Sequence, residues 1–127
     1  MFAHTLVTIV SAASLQAATP DLSADLVALS QRLHMQAQAR AQDMARSPAA
    51  PVEALPPQDS FLIDLSEFAL EAHRLSRAVD DSGGPMDLRC IFRGMSEDAE
   101  HRAALLSEPA TRADHARVYQ EVARLTG

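Results

Sequence analysis

Apolar residues recur every three or four positions along most of this chain, which is the spacing of one face of an α-helix. The most regular run follows Asp59-Ser60 and consists of Phe61, Leu65, Phe68, Ala72, Leu75 and Val79. It stops at Gly83-Gly84-Pro85, where glycine accepts a left-handed conformation and proline blocks a further helical turn. The spacing therefore predicts a helix that begins at Ser60, ends near Asp80 and is followed by a tight reversal.

Two further helices are predicted after this reversal. The first starts near Asp87 and has an apolar stripe made of Leu88, Phe92, Met95, Ala99 and Leu106, with Ile91 and Ala103 alongside. Residues 107–110 include Pro109 and interrupt it. Thr111 then stands three positions before Asp114, which is the spacing of a capping box with aspartate in place of the usual glutamate or glutamine. A short last helix should begin there, with His115, Val118, Val122 and Leu125 as its stripe.

The N-terminal part of the chain predicts one more helix and a linker. Thr19-Pro20-Asp21 reads as a capping residue, a proline at the first helical position and an acid in the first turn. A stripe of leucines follows and thins out after Leu33, so we expect a first helix over residues 18–47 with modest packing. Residues 48–59 hold four of the seven prolines and form a Pro-rich linker, either mobile or folded back. The helical core is expected in residues 60–127.

Residues 1–17 resemble a secretory signal. They contain no Asp, Glu, Lys or Arg, and the apolar run from Leu6 to Val10 passes into small residues. Only His4 stands where lysine or arginine is usual, and cleavage after Ala17 would leave bulky Leu15 at the −3 position. This segment predicts a periplasmic or secreted protein, with an uncleaved N-terminal helix in a cytoplasmic protein as the alternative.

Composition supports an all-α fold, a small up-down bundle of three to four helices. Aromatic residues make up 4% of the 127 residues and tryptophan is missing, so the core must be built from aliphatic side chains that suit helices. The net charge of −6 without a basic stripe argues against nucleic acid as a partner. No stretch reaches the roughly 20 apolar residues of a membrane span, so no integral membrane association is expected of the mature chain.

The acidic residues are unevenly distributed. From Glu53 to Asp81 there are seven acids against Arg74 and Arg77. A solvated helix face explains this pattern most simply, and a basic partner for the region is the alternative.

The sequence contains no catalytic constellation, so we expect a protein that is not an enzyme. Four histidines follow the signal-like segment, one on each predicted helix, but their positions do not converge on a shared metal site: His34, His73, His101 and His115. Only His115 lies within an apolar stripe. It is the candidate cofactor ligand, in a haem-like site with Met35 or Met44, although we expect no cofactor.

One helix face remains as the leading functional candidate. Cys90, Gly94, Glu97 and His101 align on the side of the third helix opposite its apolar stripe. Glycine inside a helix costs about 1 kcal/mol relative to alanine and often permits close approach of another backbone. A single cysteine cannot form an intrachain disulfide. If the protein is exported, a bridge between the Cys90 residues of two copies is one outcome, and a buried small hydrophobic residue is the commoner interpretation. We therefore predict an exported helical protein that binds a protein partner or forms a homodimer through this face.

Overall fold

The computed structural model describes residues 20–127, with side chains described from residue 24 onward. The signal-like segment predicted in residues 1–17 lies outside the described residues. Helix α1 spans Pro20–Met44, where Pro20 is the first described residue, and it ends three residues before the predicted boundary. Leu26, Leu29 and Leu33 are buried, as their spacing predicts.

Three more helices follow at the predicted places. Helix α2 spans Ser60–Asp81, and the carboxylate of Asp59 caps it by accepting hydrogen bonds from the amides of Phe61 and Leu62. Helix α3 spans Met86–Leu106. Helix α4 spans Arg112–Thr126 and opens with the predicted capping box, in which Thr111 and Asp114 bond each other's backbone amides.

The turn between α2 and α3 depends on one glycine. Gly83 has a φ of 69°, in the left-handed region that disfavours residues with a Cβ atom. The amides of Gly83 and Gly84 donate to the carbonyls of Asp80 and Val79, which closes the end of α2. Consequently α3 runs antiparallel to α2, as the predicted reversal requires.

The four helices form an up-down bundle, and the all-α prediction is confirmed. Helix α2 packs most extensively against α3, and α1 packs most extensively against α4, while α3 and α4 touch only sparsely. The core joins side chains of all four helices, the largest of which are fully buried: Leu33, Phe61, Leu65, Phe68, Leu106, Tyr119 and Val122. The core therefore extends beyond residues 60–127, because α1 contributes a complete stripe that includes the small residues Ala37 and Ala41.

The Pro-rich linker is ordered by the segment that joins α3 to α4. Strand β1 (Pro51–Val52) pairs antiparallel with strand β2 (Ala110–Thr111). Just after β1, the amide of Leu55 donates to the carbonyl of Leu106 at 2.9 Å, and the Leu55 side chain packs against the core. The linker thus crosses the end of the bundle and closes it. Within residues 20–127, none of the helices has the length and apolar character that crossing a membrane requires.

Leu88 is the one large stripe residue that the structure places differently from the prediction. Its exposed fraction is 40%, and Ile91 beside it is exposed as well. Helix α4 ends near His34 in the middle of α1, so it does not reach the first turns of α3, where Leu88 and Ile91 lie. The sequence pattern marks these residues as apolar and contains no sign of where the neighbouring helix stops.

Candidate functional site

The predicted interaction face forms one continuous surface on α3. Ser96, Ala99 and Leu106 are buried on the inner side of this helix. Helical spacing places Cys90, Gly94, Glu97 and His101 on the opposite side, and all four reach the surface, Gly94 only partly. We call these four residues the α3 outer face.

Gly94 makes a shallow depression in the middle of the α3 outer face. A Cβ atom built on Gly94 would have no heavy atom within 4 Å outside its local helix, so no neighbouring element of this chain requires glycine there. Its φ is not positive either, since among the described residues only Gly83 has a left-handed backbone. The missing side chain therefore leaves room that no described residue of the chain uses.

Apolar side chains stand at both ends of this face. Met86, in the first turn of α3, is 66% exposed, and Leu105, in the last turn, is 37% exposed. Contact with a partner would remove this apolar surface from water, at roughly 25 cal/mol for each Å² covered. The α3 outer face thus has glycine at its centre and apolar side chains at both ends.

Charged residues lie beside the α3 outer face, and some of them hold the start of α3 against α2. Arg93 Nε lies 4.0 Å from Glu97 Oε1, and both side chains are well exposed, so this pair contributes little to stability. Arg89 donates a short hydrogen bond to Asp80 of α2, and this interaction raises the pKa of Arg89. Ser76 of α2 donates to the Arg89 carbonyl at 3.1 Å. The start of α3 is therefore anchored to α2 by polar contacts.

Cys90 is exposed, so the interpretation that it is a buried core residue is wrong. Its thiol lies on the α3 outer face between Met86 and Gly94 along the helix. A cysteine in this position is available to a partner or to an oxidant, in contrast to an inert buried thiol.

His115 occupies the stripe position that the sequence predicts and is almost completely buried, with 1% of its surface exposed. Its Nε2 lies 3.0 Å from the carbonyl oxygen of Glu108. Because a carbonyl can only accept, Nε2 carries the hydrogen of this bond. Nδ1 is buried without a hydrogen-bond partner in the described part of the chain.

His115 and His101 line a cleft of about 420 Å³ between α3 and α4, where these helices touch only sparsely. Its walls include Leu105, Pro109 and Val118, and Arg102 at its edge pairs with Glu121 at 3.1 Å. Two histidines that the sequence analysis treated separately are thus brought to one cleft.

The methionines proposed as haem ligands are not part of this cleft. Met35 is an exposed residue of α1, and Met44 packs against the hydrophobic core. His34, which lies outside the apolar stripe of its predicted helix, is half-buried and bonds the carbonyl of Ala123 through Nδ1 at 2.8 Å. In residues 20–127 no group of three or more His, Cys, Asp or Glu residues is arranged to hold a metal ion.

Sequence reasoning missed two polar sites. Arg40 of α1 donates to both Asp59 and Tyr119, in a network that joins three helices. Glu71 of α2 is buried beside α1, although Glu67, one helical turn earlier, is an exposed acid. The only signal for Glu71 is its position next to the apolar stripe, directly before Ala72.

Comparison of the chain with protein-family models, with curated proteins and with solved structures gave no match.

Proposed function

We propose that this protein is a non-enzymatic helical protein that forms a homodimer through the α3 outer face. The observation that carries the proposal is the open surface at Gly94, which lies between small and polar residues and is bordered at both ends by exposed apolar side chains. Glycine at this position does not stabilise the monomer. It does allow the backbone of a second helix to approach closely.

An antiparallel pair of α3 helices places complementary residues opposite one another. With the two-fold axis between Met95 and Ser96, Cys90 of one copy faces His101 of the other, because the two positions are equally distant from the axis. Gly94 faces Glu97 in the same way. Met86 reaches the last turn of the second α3, where Leu105 is exposed.

Charge complementarity supports this register. Arg93 and Glu97 lie on the same flank of the face, and in the antiparallel pair Arg93 of each copy comes within one residue of Glu97 of the other. The long Arg93–Glu97 contact within one chain leaves both groups free to pair across the interface. A parallel pair would set like charges opposite one another, which costs free energy.

The expected dimer is of moderate strength. Two helices that meet along about 20 residues bury less surface than the roughly 1,600 Å² of a standard protein–protein interface. We therefore expect a dissociation constant on the order of micromolar rather than nanomolar.

Export of the protein remains part of the proposal and is supported by the uncharged, apolar residues 1–17. In an oxidising compartment the proposed register keeps the two Cys90 thiols apart. Their positions are separated by eleven residues along the pair, about 16 Å at 1.5 Å per residue. A disulfide needs Cα atoms within about 7 Å, so Cys90 stays a free thiol in this dimer.

Sedimentation velocity of the purified full chain tests the proposal. The unmodified chain should show a monomer–dimer equilibrium, and Gly94→Arg should be monomeric at the same concentrations because its side chain fills the contact. The variant should fold normally, since the added side chain meets no atom of its own chain. Ala78→Arg, an exposed position on α2, adds the same charge away from the face and should dimerise like the unmodified chain.

A strictly monomeric unmodified chain at about 100 µM, far above the expected constant, would contradict the proposal. Equal dimerisation of the Gly94→Arg variant would contradict the assignment of the face.

The rival function is a small cofactor or metal carrier that uses His115. The buried, unpartnered Nδ1 in a cleft favours a small ligand, but iron coordination through Nε2 would require the bond to the Glu108 carbonyl to break. A visible absorption spectrum and metal analysis of natively produced protein distinguish the two functions. A coloured or metal-loaded protein that loses its ligand in His115→Ala would favour the rival.

A further inference from the structure

Helix α4 is the shortest of the four helices and leaves one corner of the bundle open. Its last turn lies beside His34, whose Nδ1 bonds the Ala123 carbonyl. Below this point α1 continues from Leu33 back to Pro20, about 20 Å at 1.5 Å per residue. Within the described residues α1 and α3 make no close backbone contact with each other. The space between their N-terminal halves, in line with α4, is therefore open.

Apolar side chains from two helices turn toward this open space. Val27 stands two helical turns before His34, so it has nearly the same orientation on α1 as a residue that contacts α4. On α3, Ile91 stands two turns before Asp98, which lines a cleft against α4. Met95 lies one turn after Ile91 and is half-buried. We call the space between Val27 and Ile91, which Met95 borders, the α1–α3 groove.

The exposure of this groove is unusual for a bundle core. Val27 is 54% exposed and Ile91 is 57% exposed. A single exposed apolar residue is common, but here two large ones on different helices face one vacant helix position. Covering them would remove apolar surface from water, at roughly 25 cal/mol for each Å². The groove therefore suits an apolar helix that takes the place α4 does not reach.

The chain itself supplies such a segment next to the groove. Residues 1–19 precede Pro20, and α1 starts at the open end of the groove. In these residues Phe2, Leu6, Ile9 and Ala13 recur at helical spacing. As a helix, residues 2–13 would be about 18 Å long, which matches the open length along α1. Residues 14–19 are enough for the turn, since connections between neighbouring helices take about two to eight residues.

The chemistry of the segment also fits an apolar site. Residues 1–17 contain no Asp, Glu, Lys or Arg, so docking would bury no charged group. The direction fits as well, because a segment that leads into the start of α1 runs antiparallel to α1 when it folds back. Helix α4 has this same direction along the other half of α1.

We propose that residues 2–13, while attached to the chain, form a short helix that docks in the α1–α3 groove and continues the position of α4. Their apolar side chains cover Val27 and Ile91, and Leu88 lies at the end of the groove, beside the connecting residues 14–19. The contact uses a different flank of α3 from the α3 outer face, so it does not depend on the proposed dimer. Cleavage on export removes the segment and uncovers the groove.

Hydrogen–deuterium exchange of the full chain, with residues 1–19 confirmed by mass, tests the docking. The amides of residues 2–13 should exchange at least about tenfold more slowly than in a synthetic peptide of residues 1–19. Ile91→Asp should return them to the rate of the peptide, because docking would bury an unpaired carboxylate. Ile63→Asp makes the same change at a 44% exposed position of α2, at the other end of the bundle, and should leave the protection unchanged. If Ile91→Asp does not fold, Val27→Asp on the opposite wall replaces it.

The protection should be equal at about 5 µM and about 200 µM protein, because the docking is intramolecular. Protection that grows with concentration would show that a second copy occupies the groove and would overturn the proposal. Exchange at the rate of the peptide in the unmodified chain, or equal protection in the Ile91→Asp and Ile63→Asp variants, would overturn it too. Gly94→Arg, which blocks the proposed dimer contact, should retain the protection, so a failure of the dimer and a failure of the docking are distinguishable.

Discussion

Arg40 connects three helices through one guanidinium group. Its Nη1 lies 3.3 Å from the Tyr119 hydroxyl and 3.1 Å from the Asp59 carboxylate, and Asp59 in turn caps α2. Burial acts to lower the pKa of Arg40, but the hydrogen bonds to Tyr119 and Asp59 reverse this effect and raise it. Burial also raises the pKa of Tyr119, so the phenol stays neutral. The sequence does not predict this network, because its members are 19 and 79 positions apart and no periodic pattern relates them.

Local contacts were easier to predict, and the capping box at α4 is the clearest case. Its residues, Thr111 and Asp114, are three positions apart, so the sequence contains the whole interaction. Hydrogen bonds with the Thr111 side chain and backbone amide lower the pKa of Asp114 below 3.8. A carboxylate with a lowered folded-state pKa stabilises the fold above its unfolded pKa, and this contribution disappears as the pH falls through the folded value.

The variant Asp114→Asn should therefore melt at a lower temperature than the unmodified chain at pH 7. Asparagine retains the hydrogen-bonding shape but loses the charge that favours a helix N-terminus. The difference in melting temperature should shrink as the pH is lowered past 3.8 and vanish well below it. Thermal unfolding by circular dichroism across this pH range measures the effect, and a difference that stays constant with pH would contradict it.

At the scale of secondary-structure elements, capping residues predicted where helices start better than the apolar pattern predicted which residues are buried. Asp59 and Thr111 each mark a helix start at the predicted place, because capping chemistry is local. The contribution of α1 to the core was underestimated, since Ala37 and Ala41 add little to an apolar pattern. In the bundle these small residues are buried and α1 packs closely against α4. Their role depends on a neighbouring helix that the local pattern does not identify.

Leu88 and Leu106 of α3 provide a direct comparison of burial within one predicted stripe. Leu106 is fully buried, so Leu106→Ala should lower the free energy of unfolding by about 2–5 kcal/mol. Leu88 lies beyond the end of α4, so Leu88→Ala should cost less than about 1 kcal/mol. Urea unfolding of both variants measures the difference. An equal loss of unfolding free energy in the two variants would show that Leu88 is buried and that α3 packs differently.

At the scale of the whole molecule, the linker and the cleft between α3 and α4 depend on how distant segments meet. The prolines predicted a segment without helix, but its pairing with residues 110–111 requires the closed bundle. The four residues of the α3 outer face could be placed on one surface from the sequence because they share one helix, while their role in an interface stays a prediction. The burial of Glu71 was missed because the alignment of α1 with α2 determines it. In the proposed dimer the helical core remains within each copy, and only α3 contributes to the contact.

Disulfide trapping of the antiparallel register tests the central claim most directly. His101→Cys places a new thiol opposite Cys90 of the second copy, so mild oxidation should give a covalent dimer on a non-reducing gel. The unmodified chain, whose two Cys90 residues are about 16 Å apart along the pair, should stay uncrosslinked. Glu100→Cys, an exposed neighbour turned away from the contact, should give little crosslinking. A covalent dimer of the unmodified chain, or equal crosslinking by the two variants, would contradict the proposed interface.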